Sequence, residues 1–117
     1  MEEKPVVWLH GEVKTPPFTD AGRAEAGFQL GQLQQGIQLG MPKSRPMPNI
    51  GPSCHELRVR DEGHNWRLMY HVDADAVVVL DVFPKTTQKT RKQVFDNCQR
   101  RLARYLLATA AAKLEGK

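Results

Sequence analysis

Three apolar runs separated by short polar breaks dominate the middle of the chain. In Glu56-Leu57-Arg58-Val59-Arg60 apolar and charged residues alternate. A strand there sends Leu57 and Val59 one way and Glu56, Arg58 and Arg60 the other. The second run, Trp66 to Val72, puts Arg67, Met69 and His71 on one face and Trp66, Leu68, Tyr70 and Val72 on the opposite one. The third, Val77 to Phe83, is apolar almost without interruption and rich in Val, the pattern of a central strand covered on both faces. The breaks at Asp61-Glu62-Gly63-His64-Asn65 and Asp73-Ala74-Asp75 carry hairpin-turn residues. An antiparallel meander is predicted, with neighbouring strands aiming arginines at one surface.

Before the meander, Pro5-Val6-Val7-Trp8-Leu9-His10 predicts a short first strand. Lys14 to Pro17 is a loop, because the tandem prolines disfavour helix before them. Thr19-Asp20 then offers a helix N-cap. From Ala21 to about Leu39, Ala24, Phe28, Leu30, Leu33 and Ile37 recur at roughly helical spacing. One or two helices are expected, broken near one of the glycines, each of which costs about 1 kcal/mol relative to Ala. Met41 to Pro52, rich in Pro and Gly, predicts a surface loop with neither strand nor helix. After Thr90, Val94, Phe95, Cys98, Leu102, Tyr105, Leu106 and Thr109 form the apolar stripe of a helix that packs on the sheet. Its Ala-rich end, from about Ala108, has little to bury and is expected to fray. The predicted fold is α+β: a small antiparallel sheet of about four strands, an N-terminal helical region and a C-terminal helix. One domain over residues 1–117 is expected.

Composition narrows the classes. A chain of 117 residues, 40% hydrophobic and 26% charged, is an ordinary soluble domain with one core. Its apolar runs are too short to span a bilayer, and Met1-Glu2-Glu3-Lys4-Pro5 lacks the order of a signal peptide. A cytoplasmic protein without a membrane partner is expected. The net charge of +4 permits a polyanionic partner, and from Lys85 to Lys117 nine Lys or Arg stand against two acids. Cys54 and Cys98 are the only cysteines, and no His or Cys stands at metal-ligand spacing. No metal or cofactor is expected. Cys54 and His55 are neighbours on a strand and so face opposite ways, which argues against a nucleophilic pair.

Arg58, Arg60 and Arg67, joined by Lys85 and Lys89, can form one cationic surface that includes Glu56 and His71. Two readings stand at this point. A solvated sheet face explains it blandly, although such faces normally mix both signs. A site for a phosphate-bearing ligand explains it sharply, since Arg binds phosphate bidentately and Lys as a point charge. Lys43 and Arg45 in the Pro-rich loop are secondary candidates for contact with a polyanion.

The order and spacing of several motifs resemble the RelE/ParE toxin superfamily of bacterial toxin–antitoxin systems, and within it the HigB-like, phage-related branch. The motifs are Arg45-Pro46-Met47, Ile50-Gly51, Glu56-Leu57-Arg58, Trp66-Arg67-Leu68-Met69-Tyr70 and the run from Val79 to Thr90. Trp66 stands where the branch usually has Tyr, and Thr86 where a second Lys is common. The resemblance implies an antiparallel sheet with helices on one side and an endoribonuclease that cleaves mRNA, usually on the ribosome. A cognate antitoxin, HigA-like with a helix-turn-helix domain, is also implied. Cleavage by 2′-OH attack needs a base, stabilisation of a dianionic phosphorane and an acid at the leaving oxygen. For that chemistry Arg58 and Arg67 are expected at the phosphate and Lys85 and Lys89 as charge stabilisers or proton donors. Glu56 is the first candidate base and His71 the second, while Arg60, Lys43 and Arg45 would bind RNA beyond the reacting atoms. Tyr70 and Trp66 are expected in the core. The ParE-like arm shares the fold but poisons DNA gyrase without cleaving RNA, and an inactive interaction module is the third reading.

Overall fold

The computed structural model describes residues 3–89 and 91–115. In chain order the elements are β1 (Val6–Trp8), α1 (Asp20–Gln34), β2 (Ser44–Pro46), β3 (Cys54–Val59), β4 (Trp66–Val72), β5 (Val77–Pro84) and α2 (Arg91–Glu115). Thr90, the last residue of the Lys-containing motif, lies outside the described residues. The strands form one five-stranded sheet in the order β1-β5-β4-β3-β2. The meander β3-β4-β5 is antiparallel as expected, while β1 joins the far edge in parallel, Val6 against Val77.

The α+β class stands, but the sheet has five strands where about four were expected. The addition is β2, inside the Pro-rich segment that was expected to hold no strand. It is only three residues long and lies at the sheet edge, the place where a proline such as Pro46 is tolerated. A core residue pins it: Tyr70 is fully buried, and its hydroxyl shares a 2.7 Å hydrogen bond with Ser44 Oγ. Burial raises the Tyr70 phenol above its ordinary pKa, opposed by the Ser44 hydrogen bond.

Alternation along the strands divides the core in two. Leu57, Val59, Trp66, Leu68, Tyr70, Val77 and Val79 pack against Phe18 and the α1 residues Ala26, Leu30 and Leu33. On the other face Cys54, Met69, Val78, Leu80 and Phe83 meet Met47, Ile50 and the α2 residues Val94, Cys98 and Leu102. The helices therefore cover opposite faces, not one side as the resemblance implied. The reason is in β5, which is apolar on both faces and needs cover on both.

α1 is a single helix that ends earlier than expected. Gly36, with φ 88°, closes it, and Gly36 N donates to Leu33 O while Ile37 N donates to Gln32 O, a Schellman cap. Its buried face is Gly22, Ala26, Gln29, Leu30 and Leu33. Phe28, expected in the apolar stripe, is 59% exposed because small residues let the helix sit close to the sheet on a different face, and Ile37, 44% exposed, lies past the helix end in the cap. At the other end of the molecule α2 is helical through Glu115, beyond the point where fraying was expected. Alanine's helix propensity and an exposed Lys113–Asp75 ion pair at 3.7 Å favour this continuation. Among the described residues no helix is long and apolar enough to cross a membrane.

The start of α1 is locked to the β3–β4 turn. The N-cap Thr19 accepts from Gly22 N at 3.1 Å. The Asp61 carboxylate accepts from Thr19 N at 3.0 Å, from the Thr19 hydroxyl and from Trp66 Nε1 at 3.1 Å. Trp66 in turn stacks on Phe18 with ring centroids 4.0 Å apart, so it is core, as expected. Burial alone would raise the Asp61 carboxyl, but hydrogen bonds from Thr19, Trp66 and Glu62 together hold it below the usual carboxylate range. A Cβ on Gly22 would collide with that carboxylate. Gly22→Ala is therefore expected to destabilise the fold by about 1–3 kcal/mol, read by urea denaturation. Because the folded pKa is depressed, the Asp61 contribution is full above the ordinary value of 3.8 and is lost as pH falls below it. The stability gap between wild type and Asp61→Asn should close in that acid window. A gap independent of pH would contradict the lock.

Candidate functional site

Strand register sets the site. β3 and β4 pair Glu56 with Met69 and Arg58 with Arg67, and β2 adds Arg45 opposite Glu56. Opposed residues share a face, here the one that α2 covers in part. Like charges directly opposite each other are normally destabilising. Glu56 relieves this: its Oε1 lies 3.3 Å from Arg58 Nε and 3.6 Å from Arg67 Nε. Arg67 Nη1 also donates to Trp66 O at 3.4 Å. The carboxylate side chain is 15% exposed and Arg67 17%, so both are held rather than free in solvent.

An irregularity in β5 brings a second carboxylate to this face. Met69 pairs with Asp81 but Tyr70 pairs with Val79, which leaves Leu80 as an extra, bulged residue. Asp81 is thereby turned toward α2 and is fully buried. Its Oδ1 accepts from Val82 N at 2.9 Å and lies 4.0 Å from His10 Nε2. Its Oδ2 has no hydrogen bond among the described residues, but Arg101 Nη1 and Lys89 Nζ stand 3.6 and 3.9 Å away. Arg101 Nη1 also donates to Leu80 O at 2.9 Å. Asp81 thus ties the loop lysine to the sheet.

These contacts converge on a cleft of about 330 Å³ between the sheet and the start of α2. Among the described residues six cations line it, Arg45, Arg58, Arg67, Lys85, Lys89 and Arg91, against the one carboxylate Glu56. Met47, Met69, Phe83, Val94 and Phe95 supply its apolar surface. Lys85 enters no ion pair among the described residues, which leaves its ammonium available. Five of the six residues proposed from sequence for the chemistry, Glu56, Arg58, Arg67, Lys85 and Lys89, come together here, with Arg45 beside them. His71 does not line the cleft. It is buried, with Nδ1 2.8 Å from Pro52 O and 3.7 Å from Cys54 Sγ. Arg60 and Lys43 line a neighbouring cavity that shares Arg58 and Arg67.

Sequence reasoning missed Arg91, Phe95 and Asp81. Arg91 lies over the Phe95 ring, 5.3 Å from its centroid, one helical turn apart. Phe95 was assigned to the core stripe because its spacing fits that stripe. For Asp81 a signal existed, a carboxylate inside an otherwise apolar strand. Burial pushes the Cys54 thiol up to about 11 and the Cys98 thiol up to about 12, which disfavours the nucleophilic thiolate at both. Arg101→Ala leaves the buried Asp81 carboxylate short of a partner, and should cost about 3 kcal/mol in urea denaturation. A loss below about 1 kcal/mol would mean that Asp81 does not depend on this arginine.

The profile of the family described as phage derived protein Gp49-like (DUF891) matches residues 17–103, a span that holds α1, β2 to β5 and every residue lining the cleft. Searches of curated proteins and of solved structures find no match. By that match over most of its length, the chain belongs to the phage-derived Gp49-like family, a RelE-like toxin family of toxin–antitoxin systems.

Proposed function

We propose that the chain is the toxin of a type II, HigB-like toxin–antitoxin pair and acts as an endoribonuclease on mRNA, with the ribosome presenting the substrate. The observation that carries this reading is the convergence of Arg58, Arg67, Lys85 and Lys89 around Glu56 in one cleft. An RNA phosphate brings negative charge that grows when the 2′-oxygen attacks phosphorus. Preorganised guanidiniums aimed at that charge are the largest contribution a protein can make here.

In the proposed reaction the 2′-oxygen attacks the adjacent phosphorus in line, and the bond to the 5′-oxygen breaks. The products are a 2′,3′-cyclic phosphate and a 5′-hydroxyl. Arg58 and Arg67 hold the non-bridging oxygens. Both guanidiniums approach Glu56 through Oε1, which leaves Oε2 to take the 2′-hydroxyl proton. Lys85, free of ion pairs among the described residues, returns a proton to the leaving 5′-oxygen. Lys89, tied to Asp81 at 3.9 Å, adds charge at the cleft rim. His71, buried against Pro52 O, is left out of this chemistry. The cognate partner is proposed to be a HigA-like antitoxin with a helix-turn-helix domain, and the cationic cleft suits an acidic segment of such a protein.

Incubating the purified chain with RNA, with and without ribosomes, tests the proposal directly. Fragments ending in 2′,3′-cyclic phosphate are expected, and Arg67→Ala should lower the rate on the order of 100-fold, as loss of one oxyanion donor does. Undiminished cleavage by Arg67→Ala would contradict the assignment. Growth arrest on expression with RNA left intact would instead favour a gyrase-poisoning toxin on the same fold.

A further inference from the structure

The cavity next to the cleft has a composition of its own. It measures about 680 Å³, within the range of small-molecule sites, and it shares Arg58 and Arg67 with the cleft. It lies where β2 stops: Arg58 N donates to Lys43 O at 2.8 Å, and beyond that bond the β3 edge is unpaired by β2. Lys43, Arg60 and Asn65 line it from the strand side, and Glu25 and Gln29 from α1.

Glu25 is the informative residue. It faces a cavity walled by cations, yet among the described residues it forms no ion pair. What holds it is Gln29, whose Nε2 donates to Glu25 Oε1 at 2.7 Å. Gln29 is 2% exposed, and its own Oε1 has no hydrogen-bond partner among the described residues. A buried amide that leaves its carbonyl unsatisfied is normally selected against unless the orientation serves something. Here the orientation fixes a half-buried carboxylate in the cavity wall.

We infer that this cavity is a base-reading subsite for the RNA nucleotide next to the bond broken in the cleft, and that it favours guanine. The inference rests on the ribonuclease reading given above. Arg58 and Arg67 line both spaces, so a strand whose phosphate lies on them has its next nucleotide beside Glu25. A single carboxylate accepts two parallel donors, and guanine alone offers them side by side as N1–H and N2–H. Adenine and cytosine each place an acceptor beside their amine, and uracil offers one N–H between two carbonyls. Lys43 and Arg60 then meet the phosphate or the O6 and N7 acceptors. Glu25 reads the base, and Gln29 positions Glu25.

The test uses the full chain and fluorescence anisotropy with fully 2′-O-methylated RNA hexamers, which lack the attacking hydroxyl. A uridine hexamer carrying one guanine should bind at least about fivefold more tightly than hexamers carrying adenine, cytosine or inosine there, because inosine lacks the N2 amine. Glu25→Gln should bring the guanine and inosine hexamers within about twofold of each other. Gln29→Leu, of similar volume and buried, should weaken the discrimination in the same direction with Glu25 intact. Thermal melting confirms that each variant is folded. Equal binding of all hexamers by wild type, or discrimination that survives both substitutions, would overturn the subsite alone. No binding of any hexamer would also overturn the subsite, while the ribonuclease reading stands or falls separately on cleavage of RNA with and without ribosomes.

Discussion

Everything at this site depends on one electrostatic constraint, the opposition of Arg58 and Arg67 across β3 and β4. Two guanidiniums at paired positions repel, and a sheet tolerates them only when a counter-charge lies between. Glu56 is that charge, and it reaches both through the same oxygen. One carboxylate for two arginines leaves the pair with positive charge to spare. Under the proposed function a phosphate placed there completes what Glu56 begins, and the arrangement that keeps the sheet stable is the one that receives the anion.

The rest of the fold holds that pair in register. Because a one-residue slip would send every side chain to the other face, the two covered faces of the sheet fix which residues look toward the cleft. α1 seals one face and clamps the β3–β4 turn through Thr19 and Asp61. α2 seals part of the other and brings Arg91 and Phe95 to the rim. The bulge at Leu80 matters because it places Asp81 under the loop after β5, where it restrains Lys89. A buried acid that no solvent reaches is costly, and Arg101 offsets part of that cost.

The meander and the facing of its arginines were legible because period-two alternation survives in Glu56 to Arg60 and Trp66 to Val72. The convergence of Lys85 and Lys89 on the same face followed from their place just after β5. Other features were hidden for physical reasons. Helical spacing in α1 is ambiguous when small residues pack as well as large ones, so Gly22 and Ala26 take the buried face in place of Phe28, while Ile37 falls past the Gly36 cap that ends the helix. The two apolar faces of β5 call for cover on both sides, which the one-sided arrangement implied by the family resemblance does not provide. β2 is too short to show a period, and a β-bulge leaves none, which is why Asp81 was missed. His71 shares a face with Arg67 by alternation, yet it sits two residues further along β4 from Met69, where Cys54 and Pro52 enclose it instead of the cleft.

In the proposed reaction the arginine pair, with Glu56 and the loop lysines, breaks RNA. Mapping of mRNA 5′ ends after induction of wild type and of Arg67→Ala in a bacterium tests it most directly. New in-frame 5′-hydroxyl ends that appear with wild type and vanish with Arg67→Ala are the predicted result. Growth arrest with transcripts intact, or the same ends from both proteins, would contradict it.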